Sequence, residues 1–506
     1  MKRIGLFYRH DFVKVLIWLP VLCFFSICCY AQQDDRRVEL SLANVISMAT
    51  DSSLKAFIAE NMYLAGYWQY RTYKAEKLPF LNFSSTPVNF SRTVKREFNS
   101  LDTSYQYVEV QDLTSQFNLS LSQNITQTGG KVYIDSDIGR LENINSSQPV
   151  QYSAVPVRVG LNQPLFGFNR FKWESKIEPL KFEQAKKQLV QSMEDIAVTA
   201  VGYFFDLAKA RINLQIAAAN YANADTLYDI GKKRLAIAAI SREDVYTLEL
   251  ELINSENAYY EAQTQLKRAR MKLGSFLRLD DENDISVIVP SEVPSVKVDP
   301  FKVFEMTEEN SPRMLDFKRQ DLESARDVEE AKKENRFNAS LSASFGLNQR
   351  GNDISEAYRN PMDQELAMVS LNIPIIDWGL ARGRYNLAQK NRDVLLASLE
   401  QAETDFKQDV IMTAEEFNLQ ENLVKGAARA DTIARDAYEI SKQRFMIGHV
   451  DVTKLMAVQN SNIAAQKAYI NALEQYWTYY YTLRKLSLYD FEKNQLLIRN
   501  LEELIN

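Results

Sequence analysis

Two histidines and three cysteines are all that this 506-residue chain holds of the side chains that most often carry nucleophilic or metal chemistry. Their placement removes most of them. His10, Cys23, Cys28 and Cys29 all lie before Ala31, where Lys2, Arg3, Arg9 and Lys14 lead into an apolar stretch from Val15 to Cys29, with polar Gln32 beyond. This is the order of a secretory signal peptide cut after Ala31, with small residues at Cys29 and Ala31. A signal anchor is the competing reading, but the stretch is short of the roughly 20 apolar residues that span a bilayer. A lipoprotein cut at Cys28 or Cys29 is disfavoured by Ile27 and Cys28, poor residues to precede a lipidated cysteine. The predicted exported chain has no cysteine, which excludes disulfides, a thiol nucleophile and thiolate metal sites. Only His449 remains, so a Ser-His-Asp triad has one place to form and a histidine-rich zinc site has none.

Glycine is scarce too, with 16 residues beside 13 prolines. At roughly 3% it is under half of ordinary usage, which argues against glycine-rich phosphate loops and for long uninterrupted helices. No G-x-x-x-x-G-K-[ST] motif occurs, and no catalytic set has a defensible spacing, so neither an enzyme nor a cofactor or metal site is expected. After Ala31 no apolar run reaches 18 residues, which rules out a helical membrane protein. A net charge of -6 and a pI near 5.4 offer no basic face to nucleic acid. Because Lys2, Arg3, Arg9 and Lys14 outweigh Asp11 by +3, the chain after Ala31 carries -9 with histidine neutral.

What is present is an internal repeat. At an offset of 210, Leu161-Asn162-Gln163-Pro164-Leu165-Phe166 falls on Leu371-Asn372-Ile373-Pro374-Ile375-Ile376, and Lys232 to Ile237 falls on Lys442 to Ile447. Near the start of each half the offset is 258, with Val45, Met48 and Ser53 matching Val303, Met306 and Ser311. The first copy therefore holds 48 extra residues between its opening helix and Pro164. The expected organisation is a signal peptide (1–31), a first repeat (32–279, strand region about 79–166), a linker (280–300) marked by Pro290, Pro294 and Pro300, a second repeat (301–488, strand region about 337–376) and a tail (489–506).

Each copy has the same order of signals. Val38–Glu76 and Phe301–Glu334 read as helices, broken at Asp51-Ser52-Ser53 and Asn310-Ser311-Pro312. Strands follow: Leu113, Phe117, Leu119 and Leu121 alternate with Thr114, Asn118, Ser120 and Ser122, and Val155 to Asn162, Ser340 to Leu347 and Met368 to Ile373 continue the theme. One apolar and one Ser/Asn/Gln face suits a wall between lipid and a water-filled lumen; a soluble half-buried sheet fits the alternation equally, and the export signal favours the wall. Thr128-Gly129-Gly130 reads as a hairpin turn inside the 48-residue insertion, which adds either membrane strands or an outside loop. Then come heptads: Leu189, Ile196, Tyr203 and Ala210 beside Met193, Ala200, Leu207 and Leu214, repeated by Leu399, Phe406 and Thr413 beside Val410, Phe417 and Val424. About 60 helical residues make a rod of about 90 Å, paired with return helices Ser241–Leu277 and Asp451–Leu488.

These features together resemble the TolC-like outer-membrane efflux protein family. The most specific pieces are the strand-to-helix junctions, Gln163-Pro164-Leu165-Phe166 and Pro374-Ile375-Ile376-Asp377-Trp378-Gly379, and the turns between paired helices, Arg234 through Val245 and Arg444 through Leu455. Departures are Ala238 in the place of Gly448, Gly167-Phe168-Asn169 in the place of the acidic-aromatic-glycine order, and Thr453 or Lys454 where the turn motif has aspartate. The resemblance implies a mainly α fold with a transmembrane β-barrel. It further implies a homotrimer in which each chain gives four strands to a 12-stranded barrel continued by an α-helical coiled-coil tunnel. Its location would be the outer membrane of a Gram-negative bacterium, extending into the periplasm. It implies a passive exit duct for multidrug efflux or type I secretion, partnered by a periplasmic adaptor (membrane fusion) protein and an inner-membrane transporter. Independently, four or so strands cannot close a barrel around a lumen, and an open edge is not viable in lipid, so subunits must share one. A general outer-membrane porin and a secreted coiled-coil surface or adhesion protein are the alternatives. The first has no use for such rods, and the second leaves the lumen-like strands unexplained.

The turns are the informative sites. Gly448 can take the left-handed conformation that ends a helix, Asp451 is a candidate N-cap, and Ser241 with Asp244 forms a near capping box. In the family these turns close the tunnel at its periplasmic end and meet the adaptor. Three copies of Asp244, His449 or Asp451 would then form rings that select cations or sense pH, with Arg234 and Arg444 linking neighbouring coils. Ordinary solvated caps, with arginines complementing the helix dipole, are the competing account. Phe80, Phe83, Phe90, Tyr152, Phe166, Phe168, Trp173 and Trp378 flank the strands as a candidate interface girdle, with packing at the barrel–helix junction an equal alternative for any one of them, whereas Trp477 and Tyr479 to Tyr481 read as helix packing.

Overall fold

The computed structural model describes residues 37–99, 103–144, 150–279, 284–499, 501 and 504. The expected signal peptide lies outside the described residues. Two compact units share the chain. One holds residues up to Ser53, Thr199–Val293 and Ala427–Glu474; the other holds Leu54–Val198, Pro294–Gly426 and Gln475–Asn506.

In the first unit, β1 (Arg37–Ser41) pairs in parallel with β6 (Asp284–Ile288) and buries Leu40, Ile285 and Val287. The helix expected from Val38 therefore begins only at Leu42. The segment from Arg37 is extended, and Ser41 serves as N-cap of α1 (Leu42–Ser52), accepting from the Asn44 amide at 3.2 Å. α2 (Leu54–Ala75) follows the break at Ser53. The second copy repeats the device. α5 (Pro300–Asn310) ends where the Ser311 hydroxyl caps α6 (Pro312–Glu334), each with proline in the first turn, where the missing N–H costs nothing. The stretch read as linker thus contains a strand.

The long helices show the duplication most plainly. α3 (Arg170–Ala236) and α8 (Leu380–Met446) each have 67 residues, and α4 (Arg242–Leu277) and α9 (Val452–Ser487) each have 36. Most of the heptad tracks are buried: Leu189, Met193, Ile196, Ala200, Leu207 and Ala210 in α3, and Phe406, Val410, Phe417 and Val424 in α8, while Tyr203, Leu214, Leu399 and Thr413 are half-buried.

The second unit contains a six-stranded antiparallel sheet, β2 (Phe80–Asn99), β3 (Ser104–Ile125), β4 (Gly130–Asn143), β5 (Gln151–Pro164), β7 (Asn338–Gly351) and β8 (Met362–Asn372), in that order. The expectation of four strands per chain is corrected here. The insertion forms a further hairpin, β3–β4, laid between the two strands of the first copy and paired with both. A short helix, α7 (Ile354–Tyr358), folds from the β7–β8 connection onto β5 and β7, burying Ala357 and Ala154.

The end of α9 carries a buried polar centre. Arg484 donates to both Glu194 oxygens at 2.9 and 3.0 Å and to Asp490 at 2.8 Å, beside Tyr480 and Tyr481. Burial works against its charge, but the Glu194 carboxylate and Tyr480 hydroxyl more than offset it, and the guanidinium is held above its usual range. The same burial pushes the Tyr481 hydroxyl up to about 12. Trp477 meets Tyr476 and Tyr480 edge to face and stacks on Tyr481, the helix packing expected from the sequence. Beyond α9 the chain turns back through β9 (Tyr489–Asp490) and β10 (Gln495–Leu496).

Candidate functional site

The sheet is inside-out. Its apolar face is exposed, with Phe83 at 64%, Leu121 at 40%, Val159 at 46% and Phe345 at 56%. Its polar face is the better covered one. There Arg158 holds Asp135 with two bonds, Nε to Oδ1 at 3.0 Å and Nη2 to Oδ2 at 2.5 Å, while Asn118 donates to Asp135 and Gln116 to Asp137. Glycine makes room for these side chains. A Cβ at Gly160 would lie 2.2 Å from the Tyr133 ring, and one at Gly346 would lie 2.8 Å from Arg158 Cβ, so both side chains lie flat across neighbouring strands. Neither Arg158 nor Asp135 stands out in the sequence; the one signal is the charge of Arg158 on the same strand face as Pro156, Gly160 and Asn162, and Asp135 shares its face with Tyr133 and Asp137.

Both strand-to-helix junctions are built as caps. In the second copy Asp377 accepts from the amides of Gly379 and Ala381, each at 3.0 Å, which holds its carboxyl below the usual range. Trp378 (φ 53°) and Gly379 (φ 86°) both take the left-handed conformation there, and Trp378 is 95% exposed. In the first copy Pro164 ends β5 opposite Ser340, and Phe166 meets Phe337 edge to face at 5.1 Å. The Asn169 side chain accepts from the Lys172 amide and donates to the carbonyls of Thr126 and Gln127 at 3.1 and 3.0 Å. The departure at Gly167-Phe168-Asn169 thereby acquires a physical reason: aspartate could cap the helix but could not donate to the inserted turn. Pro374 lies just beyond β8. Of the proposed aromatic girdle, Phe80, Phe83, Phe90, Phe166 and Trp378 are exposed. Trp173 follows the packing alternative instead: it is buried and donates from Nε1 to Glu329 at 3.0 Å.

The two helix turns come together in the other unit, over a core of Leu227, Leu248, Tyr438, Phe445, Val452 and Leu455. Ser241 and Asp244 complete the capping box: the Ser241 hydroxyl accepts from the Asp244 amide at 3.1 Å, and Asp244 accepts from the Ser241 amide at 3.0 Å and its hydroxyl at 2.7 Å. These bonds hold the Asp244 carboxyl below its usual range. Asp451 caps α9 by accepting from the Lys454 amide at 2.7 Å. Gly448 (φ 84°) and Ala238 (φ 54°) are the left-handed residues of the two turns, and the His449 amide donates to the Arg444 carbonyl. Arg234 crosses between them. Its guanidinium donates to the carbonyls of Phe445 and Met446 at 3.2 and 3.3 Å, at the C-terminus of the other long helix, and stacks over the Phe445 ring. Arg444 and His449 are exposed and are not drawn into this cluster.

Among the described residues no helix is long and apolar enough to cross a membrane. What the chain presents is a sheet with a covered polar face and an exposed apolar one, carried with long paired helices. Residues 306–487 match the family described as outer membrane efflux protein. The fold is similar to the CmeC outer membrane channel of Campylobacter jejuni (14% identity, TM-score 0.61, covering 92% of this chain and 88% of that one). It is also similar to the outer membrane protein VceC of Vibrio cholerae (11%, 0.61, 88% and 95%) and the MtrE outer membrane channel of Neisseria gonorrhoeae in its open state (14%, 0.57, 88% and 88%). No curated protein matches by sequence. The family match lies within the second copy, and over most of its length the chain shares the fold of these channels.

Proposed function

We propose that the chain is the exit duct of an efflux system, assembled as a homotrimer in the outer membrane of a Gram-negative cell after removal of residues 1–31. The observation that carries this reading is the inside-out sheet, because an exposed Leu/Val/Phe face is costly in water and favourable against lipid, while the Arg158–Asp135 face suits an aqueous lumen. Transport through it is passive, driven by an inner-membrane transporter and coupled by a periplasmic adaptor. In this reading the two turns lie at the periplasmic end. Arg234 holds them together, and three copies of Asp244 and Asp451 ring the opening, with His449 beside them. The family description favours efflux over type I secretion.

Purified protein reconstituted in planar bilayers tests this. We expect discrete conductance steps from a trimeric species, with cation preference reduced in Asp451→Ala. Monomers without conductance would refute the duct, and an Asp451→Ala channel identical to the parent would reduce that residue to a helix cap.

A further inference from the structure

The first copy contains a hairpin that the second lacks, and it lies in the middle of the sheet rather than at its rim. We propose that β3–β4 is a wall segment of the membrane barrel, so that each chain supplies six strands and the pore mouth is wider than one built from four per chain. This inference rests on the duct reading above.

Three observations converge on it. The apolar stripe is continuous through the hairpin: Leu121 faces Ile134, Ile134 faces Val159, and Val159 faces Phe345, all exposed. On the other face the row runs Ser120, Asp135, Arg158, Gly346. A hairpin folded into the lumen as a plug would turn that stripe to water, whereas one in the wall turns it to lipid. Second, the hairpin turn is seated on the helix ends. Gln123 and Asn124 donate to the carbonyls of Lys77 and Glu76 beyond α2, at 3.4 and 3.3 Å. Asn169, ahead of α3, holds Thr126 and Gln127, and Gln163 donates to the Thr128 carbonyl at 3.1 Å. The turn thus hangs between the two helix ends that flank this stretch of wall. Third, the edge strands β2 and β8 run in opposite directions, so β8 of one copy can continue antiparallel onto β2 of the next. Lipid tolerates no open edge, which requires that closure. Three copies of six strands give 18, and since barrel diameter grows roughly linearly with strand number, the mouth is about 1.5 times as wide as a 12-stranded one.

Single cysteines placed in the otherwise cysteine-free chain after Ala31 test the wall directly. In phosphatidylcholine vesicles, Ser120→Cys should react with a water-soluble, membrane-impermeant maleimide, while Leu121→Cys and Ile134→Cys should react at least ten-fold more slowly. Val159→Cys in β5 is the control. Free labelling at Leu121 and Ile134 with protection at Val159 would overturn the proposal and leave the duct intact; free labelling at all three would overturn the duct itself. As a second measurement, deleting residues 94–141 leaves a two-stranded first copy. Polymers added on the strand-connection side should then show an entry cut-off radius smaller by about one third. An unchanged cut-off would overturn the widening.

Discussion

At the start of α4, Ser241 and Asp244 satisfy two amides that a helix otherwise leaves unpaired, and the carboxylate is the better acceptor when ionised. Its pKa is lowered in the folded chain, so its contribution is fully present above the ordinary carboxylate value near 4. It is lost as pH falls through the lower folded value. Ser241→Ala is expected to cost about 1 kcal/mol of local stability. Hydrogen exchange at the amides of residues 241–245 should show faster opening in that variant, and in Asp244→Asn the turn should lose its acid sensitivity. Equal exchange in parent and variants would mean that the core below, not the box, holds the turn. Ala238 belongs to the same scale: a left-handed alanine costs about 1–2 kcal/mol, which the bonds of its turn, from the Ala238 and Ala239 amides to the Leu235 and Arg234 carbonyls, must offset.

Among the elements, the end of α9 depends on one arginine. Arg484 compensates two carboxylates, Glu194 and the nearly inaccessible Asp490, whose Oδ1 also accepts from the amides of Glu492 and Lys493. Removing one member of such a buried set leaves charges without partners, at about 3–5 kcal/mol. Arg484→Met should therefore release residues 489–499, seen as rapid proteolysis at the tail while the circular dichroism of the helices persists. A tail as resistant as the parent's would show that Tyr480 and the β9–β10 pairing suffice. Tyr476, Trp477 and Tyr480 line the same end, which explains why aromatics gather there and not along the whole helix.

For the whole molecule, surfaces left open by the single chain carry the argument. α2 exposes Leu54, Phe57, Ile58, Met62 and Trp68 on one face, and α8 exposes Leu380, Leu387 and Val394 at heptad spacing. Apolar faces of this kind on a folded chain mark association surfaces. Neighbouring copies are the proposed occupants. Phe57→Glu should convert the proposed trimer, solubilised in detergent, to monomer, read by light scattering on a sizing column, with helical content unchanged. A trimer that survives the change would move the interface elsewhere.

The sequence alone determined the duplication, the helix breaks at Ser53 and Ser311, the heptad helices and the two-faced strands. Each is a local or periodic pattern, and periodicity survives in one dimension: 210 residues separate both α3 from α8 and α4 from α9. Only tertiary structure decided that residues 37–41 pair with a distant strand, because β1 and β6 lie far apart in the chain and each is too short to read as a strand by itself. It also decided that the inserted residues join the sheet, since register is set by partners and not by the strand's own alternation. Asn169, Arg158 and Arg484 owe their roles to groups 23 to 290 residues away, and no spacing rule reaches that far.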